Sequence, residues 1–393
     1  MTFLLVNGLI LDGLGGTIER GGLLVEGDLI AAVGPKVERP PGQDVQVIDL
    51  QGRTLMPGLI DTHVHMAGGD YFPGQEEESL GLAALRSVAA AGRTLNAGIT
   101  TVRTAGSRDF LDVDLRDAIN AGLVPGPRIV ASGRGITTTG GHLHEVCMEV
   151  DGVDAVVQAV RYHVKRRVNS MKVMLSAGVA TAGSNVQVAQ FGLDETRAAA
   201  HEAHKHGLKV LTHSIGYDAI KNGIEAGVDS IDHGYWLDEE LAIKMRERGI
   251  YLVPTFGPFH YYTVVRKAEP WRIARAEPVA PRLPEVLHLA MDVGVPIAMG
   301  SDCGAPSRYP NGDNALELEL MVRAGMDPMS AVRAGTSEAA KLVGIADRIG
   351  SLEPGMLADL IAVDGNPLDD IGVLRTSVKL VMQGGRLCRN ELN

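Results

Sequence analysis

Between Leu59 and Asp302 the chain repeats one pattern eight times: a short apolar, β-branched run, then a longer stretch of helical period. The runs are "LIDTHVHM", "ITTVRTA", "RIVASG", "SMKVML", "KVLTHS", "SIDHG", "YLVPTF" and "PIAMGSD". Among the intervening stretches are "EEESLGLAALRSVAAAGRTLNAG", "DAVVQAVRYHVKRRVN", "DETRAAAHEAHKHG" and "DEELAIKMRERG". Many open on an acidic residue and close on Gly, as helix ends do. Eight β-then-α units in series predict an α/β fold, a (β/α)8 TIM barrel. Before the series lie short strand-like runs, "TFLLVNGLILDG", "GGLLVEGDLIAAVG" and "VQVIDLQGRTLMPG". After the helical "DPMSAVRAGTSEAAKLVG" the strand pattern returns in "GSLEPGMLADLIAVDG" and "VKLVMQGGRLC". The expectation is a barrel over 56–345 beside one small β-domain built from 1–55 and 346–393.

In such a barrel, chemistry sits where strands end. Side chains alternate along a strand with period two, so His63 and His65 in "GLIDTHVHM" share a face and form half of a metal site. Hydrogen-bonded core histidines are the plainer alternative. Reading the other strand ends adds Lys172, His213, His233 and Asp302. Four imidazoles and a carboxylate converging at one end have no cheap structural explanation. Lys172 is the odd member, because a cationic amine is repelled by a metal and burial lowers its pKa. As a neutral amine it can add carbon dioxide and become a carbamate able to bridge two metals. A salt bridge to a barrel acid explains a strand lysine equally well. His201, His204 and His206 in "HEAHKHGL" are spaced wrongly for a helical zinc motif and read as a solvated helix face. His163 and His288 read as structural.

The net charge of −11 argues against nucleic acid or an anionic membrane as partner. Cys147, Cys303 and Cys388 are odd in number and far apart, which fits a reducing compartment without disulfides. No stretch approaches the ~20 apolar residues needed to span a bilayer. "FLLV" near the start is too short for a signal segment. These features predict a soluble cytoplasmic protein acting on a small molecule. A homo-oligomer is compatible with all of them.

The chain resembles the metal-dependent amidohydrolase superfamily in its two-metal form. The matching pieces are "PGLIDTHVH", the Lys in "SMKVMLSAG", the His in "LTHSIG", the His in "SIDHG", the Asp in "GSDCG" and the closing "GSLEPGMLADLIAVDGNPLDDI". They stand in the family's order and span almost the whole chain. The resemblance implies a barrel flanked by a β-sandwich made from both termini, with Lys172 carboxylated and bridging two divalent metals. His63, His65 and Asp302 would hold one metal, His213 and His233 the other. The likeness is nearest to the branch of Xaa-Pro dipeptidases and N-acyl amino acid hydrolases, through "GGH" at Gly140 to His142 and "NGDNALELELMVRAGMDPMSAV" after the last run. It departs from the dipeptidases at Ile215, where Tyr is expected, and near Asn311, where a basic residue or His is expected.

Two divalent metals about 3.5–4 Å apart can share a water and lower its pKa toward neutrality. On this reading the hydroxide between them attacks a carbonyl, Asp302 carries the proton to the leaving nitrogen, and His142 meets the carbonyl oxygen. Imidazole, carboxylate and carbamate suit zinc, with manganese, cobalt or iron as substitutes. The expected activity is hydrolysis of an amide: a peptide, an N-acyl amino acid or a related compound. Carbamate or aryl-amide hydrolysis is the nearest alternative. A one-metal deaminase would lack Lys172, and a non-catalytic scaffold would have lost ligands that this chain keeps.

Aromatic residues are only 4% of the chain, yet Tyr71, Phe72, Tyr235, Trp236, Phe256, Phe259, Tyr261, Tyr262 and Trp271 cluster after strand ends. Barrel cores prefer branched aliphatics, so this placement predicts an aromatic pocket for a bulky substrate group. Tyr235, Trp236, Phe256, Tyr261 and His142 are the expected substrate contacts. A loop packing its own lid, or a subunit contact, is the competing explanation.

Overall fold

A computed structural model describes residues 1–42, 44–66, 78–266, 268–304 and 309–392. Both ends of the chain enter one eight-stranded sheet. Its order is Arg386–Asn390, Val378–Gln383, Leu360–Val363, Thr54–Pro57, Thr2–Leu11, Thr17–Glu26 and Leu29–Gly34, with Val45–Asp49 also paired to Thr2–Leu11. Thr2–Leu11 runs parallel to Val45–Asp49 and Thr54–Pro57, and the other pairs are antiparallel. Period-two alternation gives the central strands two apolar faces. Leu55, Leu360, Ala362 and Leu380 pack with Leu5, Ile10 and Leu23 in a core of their own. Their neighbours Met56, Ile361, Val363 and Val381 join the large core of the rest of the molecule. The alternation thus binds this sheet to the body that carries the chemistry.

That body contains two parallel sheets. One is Leu59–Val64, Ile99–Thr104 and Arg128–Val130. The other runs Met148–Glu149, Ile136–Thr137, Ser170–Met174, Lys209–Ser214, Ser230–His233 and Tyr251–Val253. Helices Leu80–Asn96, Leu111–Asn120, Val153–Lys165, Leu193–Lys205, Tyr217–Ala226 and Glu239–Arg248 lie between successive strands, and Arg282–Val293 follows the last of them. Their ends carry the expected stops. Ser79 and Asp238 side chains accept the amides of Leu82 and Leu241, and Gly227 and Gly249 close helices in the left-handed conformation.

Two expected strands are reduced. The run "RIVASG" is extended only over Arg128–Val130, after which the Ala131 carbonyl accepts from Asn169 N at 2.7 Å and Ser170 N at 3.1 Å. The run "PIAMGSD" forms no strand, only an isolated bridge from Ile297 to Leu252, and it ends at Asp302 in a left-handed backbone (φ 56°). It still bonds to strands on both sides. Ala298 N donates to Leu252 O at 3.1 Å, Thr62 N to Met299 O at 2.9 Å, and Asp302 N to His63 O at 2.7 Å. The helical segment "DPMSAVRAGTSEAAKLVG" forms two helices, Pro328–Ala334 and Ser337–Leu342, separated at Thr336 (φ −133°, ψ −95°). No helix among the described residues is long and apolar enough to cross a membrane.

Candidate metal centre

His63, His65, Lys172, His213, His233 and Asp302 line one cavity together with His142. Parallel register explains the convergence. Met174 pairs with His213 and Ser214 with His233, so these strands end side by side. Asp61 fixes the other edge: its carboxylate accepts His63 N at 3.1 Å, Ser301 N at 2.9 Å and Asn314 Nδ2 at 2.8 Å. Burial pushes the Asp61 carboxyl up to about 6 against the pull of those donors. His63 and Asp302 are thereby held in one frame.

The hydrogen bonds decide which ring nitrogens keep a lone pair. His63 Nδ1 lies 2.7 Å from Asp232 Oδ2, so it donates there and leaves Nε2 free. The Thr255 hydroxyl donates to Pro254 O at 2.7 Å. His233 Nδ1, 2.7 Å from Thr255 Oγ1, is then the donor, and its Nε2 is free. His213 Nε2 faces the Ala177 carbonyl at 3.3 Å, an acceptor only, so Nδ1 is the free nitrogen of that ring. Burial, reinforced by neighbouring cationic groups, drives His63 and His213 well below the ordinary imidazole value and His233 down to about 3. These rings are neutral at pH 7. A suitable ligand atom from each of His63, His233 and Asp302 lies within 4.8 Å of the others.

Asp302 Oδ1 is buried without a hydrogen-bond partner, 3.5 Å from His63 Nε2 and 3.1 Å from His65 Nε2. A lone pair of His63 thus faces a carboxylate oxygen, a repulsive arrangement that a cation relieves. Lys172 Nζ is also buried and unbonded. Burial brings its ammonium down to about 8. It stands 3.9 Å from Asp232, whose oxygens are already used by His63 and by Ser230 Oγ at 2.6 Å. The donor set, the free lone pairs and the two orphaned atoms fit divalent cations.

The sequence reading missed Asp232 and Thr255, which orient His63 and His233. A carboxylate inside the buried run "SIDHG" was the available clue, since a buried acid needs partners. Thr255, Asp302 and His233 have left-handed backbones (φ 55°, 56° and 77°), unusual for non-glycine residues and common at functional sites. His204 bonds to Asp229 at 2.7 Å and His206 to Glu202 at 3.3 Å, away from the cavity, whereas His163 is buried between two backbone carbonyls.

Of the expected substrate contacts, His142 and Tyr235 line the cavity; Trp236, Phe256 and Tyr261 are not among its lining residues. Each of these three rings has other partners. Trp236 sits under the Arg282 guanidinium, and Tyr261 stacks on Tyr309. Phe256 is buried at the start of the helix Phe256–His260, whose first amides bond to the Glu317 carboxylate at 2.9 and 2.8 Å. The described aromatic wall is Tyr235, Phe259 and Tyr262, extended by Leu143, Val179 and Pro258. Tyr71 and Phe72 lie outside the described residues. The cavity volume is about 50 Å³.

The profile of the amidohydrolase family matches residues 54–388. Ochratoxinase of Aspergillus niger is 30% identical, the alignment covering 97% of this chain and 85% of the relative. A Xaa-Pro dipeptidase crystallised with methionine in its active site superposes with a TM-score of 0.92 at 33% identity, over 99% of this chain and 100% of that one. A prolidase in complex with N-methylphosphonate-L-proline gives 0.92 at 30% identity, again over 99% and 100%.

Proposed function

The chain belongs to the amidohydrolase family, and on that footing we propose that it is a two-metal amide hydrolase whose substrates carry a hydrophobic or aryl group. That it is a metal-dependent hydrolase of amide C–N bonds follows from the family and its relatives. The finer reading rests on one observation: Lys172 Nζ is buried, without a hydrogen bond, beside neutral imidazoles and Asp302. As a free amine its lone pair bonds to the carbon of carbon dioxide, and the carbamic acid releases a proton. The carbamate and Asp302 would then offset two of the four positive charges of two divalent cations, zinc by ligand preference. His63, His65 and Asp302 would hold one ion, and His213 and His233 the other. Bound metals supply Lewis acidity and lower the pKa of water.

The remaining steps belong to the chain's own groups. The Asp302 carboxylate takes the proton of the attacking water and returns it to the leaving nitrogen. His142 donates to the carbonyl oxygen as negative charge develops there. Tyr235, Phe259 and Tyr262 receive the apolar part of the substrate and exclude water. The hydrogen bonds from Ser170 N to Ala131 and from Thr62 N to Met299 support the two parallel sheets as parts of one closed (β/α)8 barrel. With it goes a β-sandwich of both termini, over 1–55 and 346–393. A soluble, cytoplasmic setting and a small-molecule substrate complete the proposal.

The test is metal analysis of the purified protein alongside turnover of N-benzoyl-L-phenylalanine, ochratoxin and glycyl-glycine. Two metals per chain and preference for the aryl compounds are expected. One metal per chain, or preference for glycyl-glycine, overturns the two-metal or the substrate reading respectively.

A further inference from the structure

We propose that Thr181 is a positioning residue that fixes the tautomer of His142, keeping the proton on Nε2 so that this nitrogen donates to the substrate carbonyl. The inference rests on the role given to His142 above. Thr181 Oγ1 lies 2.8 Å from His142 Nδ1 and accepts Leu143 N at 3.2 Å. Leu143 has a left-handed backbone (φ 50°), a conformation unfavourable for leucine that accompanies this bond. With one lone pair of Oγ1 filled by that amide, the hydroxyl hydrogen needs an acceptor. Among the described residues, His142 Nδ1 is the only one in reach. An imidazole that accepts at Nδ1 carries its proton on Nε2.

The loop is built to hold this arrangement. His142 N donates to Gln190 Oε1 at 3.1 Å. Gly178 lies against the imidazole so closely that a Cβ there would stand 2.2 Å from His142 Cε1. The His213 ring covers His142 at 4.2 Å between centroids. Ser184 Oγ donates to Thr181 O at 2.8 Å, and Arg275 Nη2 donates to Ser184 O at 2.7 Å and Gly178 O at 3.1 Å. A helix residue from beyond the aromatic segment therefore braces the loop that carries Thr181. The contrast with the metal-facing rings is chemical. His63 and His233 donate from Nδ1, leaving a lone pair at Nε2 for a cation. His142 accepts at Nδ1, which prepares Nε2 for an oxygen.

The experiment measures kcat, KM, metal content and melting temperature on the metal-loaded enzyme with N-benzoyl-L-phenylalanine. The variants are Thr181→Val, Thr181→Ser, His142→Ala and the double variant His142→Ala/Thr181→Val. Thr181→Val removes the hydroxyl and keeps the branched shape; kcat is expected to fall roughly tenfold, with KM and metal content unchanged. Thr181→Ser restores most of the loss. In the His142→Ala background Thr181→Val adds nothing, because the two residues act as one unit. Wild-type turnover in Thr181→Val, or the same loss with His142 already removed, overturns the proposal. If Thr181→Val does not fold, Thr181→Ala reads the same quantities. An impaired His142→Ala with a normal Thr181→Val defeats this inference alone. A fully active His142→Ala defeats the carbonyl role of His142 and this inference with it.

Discussion

Lys172 Nζ approaches Asp232 Oδ2 to 3.9 Å and makes no hydrogen bond to it. The two therefore meet as a long ion pair without a hydrogen bond. His63 and Ser230 occupy the carboxylate instead.

Replacing Lys172 by Ala is expected to remove most of the bound metal and the activity with it. Short carboxylic acids added to that variant should restore part of the turnover by standing in for the carbamate. A Lys172→Ala protein that holds two metals per chain and turns over normally would exclude the bridging role.

Asp232→Asn tests the orientation of His63. The amide keeps the volume but accepts less strongly from Nδ1, so metal affinity should fall by about 10–100-fold. Titration of the apo-protein with zinc measures it. An unchanged affinity would mean that the 2.7 Å bond does not tune the ligand.

Asp302→Asn separates ligation from proton transfer. The variant should keep much of its metal and lose roughly 10²–10⁴-fold in kcat. Near-normal turnover would take the proton-carrying role from Asp302.

Phe259→Ala concerns the pocket. Phe259 meets Tyr235 edge-on at 4.9 Å between centroids and is nearly fully buried. Phe259 is part of the cavity wall and so bears on how large a group the cavity admits. The truncation should raise kcat/KM for N-benzoyl-L-phenylalanine relative to N-acetyl-glycine by roughly tenfold. An unchanged ratio would remove Phe259 from substrate selection.

What the sequence determined by itself is whatever local periodicity fixes. Alternation along "LIDTHVHM" put His63 and His65 at one strand end. The repeated strand–helix pattern likewise put Lys172, His213, His233 and Asp302 at strand ends, and the structure brings all six around one cavity. The same alternation marked the terminal strands that share one sheet. Only the tertiary structure decided the rest, because it depends on register between strands far apart in the chain. His63 finds Asp232 across 169 residues of sequence, and His142 finds Thr181 across 39. Those contacts choose which nitrogen keeps its lone pair, and no local pattern encodes them. The aromatic wall was blurred for a related reason. The left-handed turns at His233 and Thr255 redirect the chain just past the strand ends, so Tyr235 and Phe259 face the cavity while Trp236 and Phe256 do not. Periodicity predicts direction only while the backbone stays regular, and at this site it stops being regular where the chemistry begins.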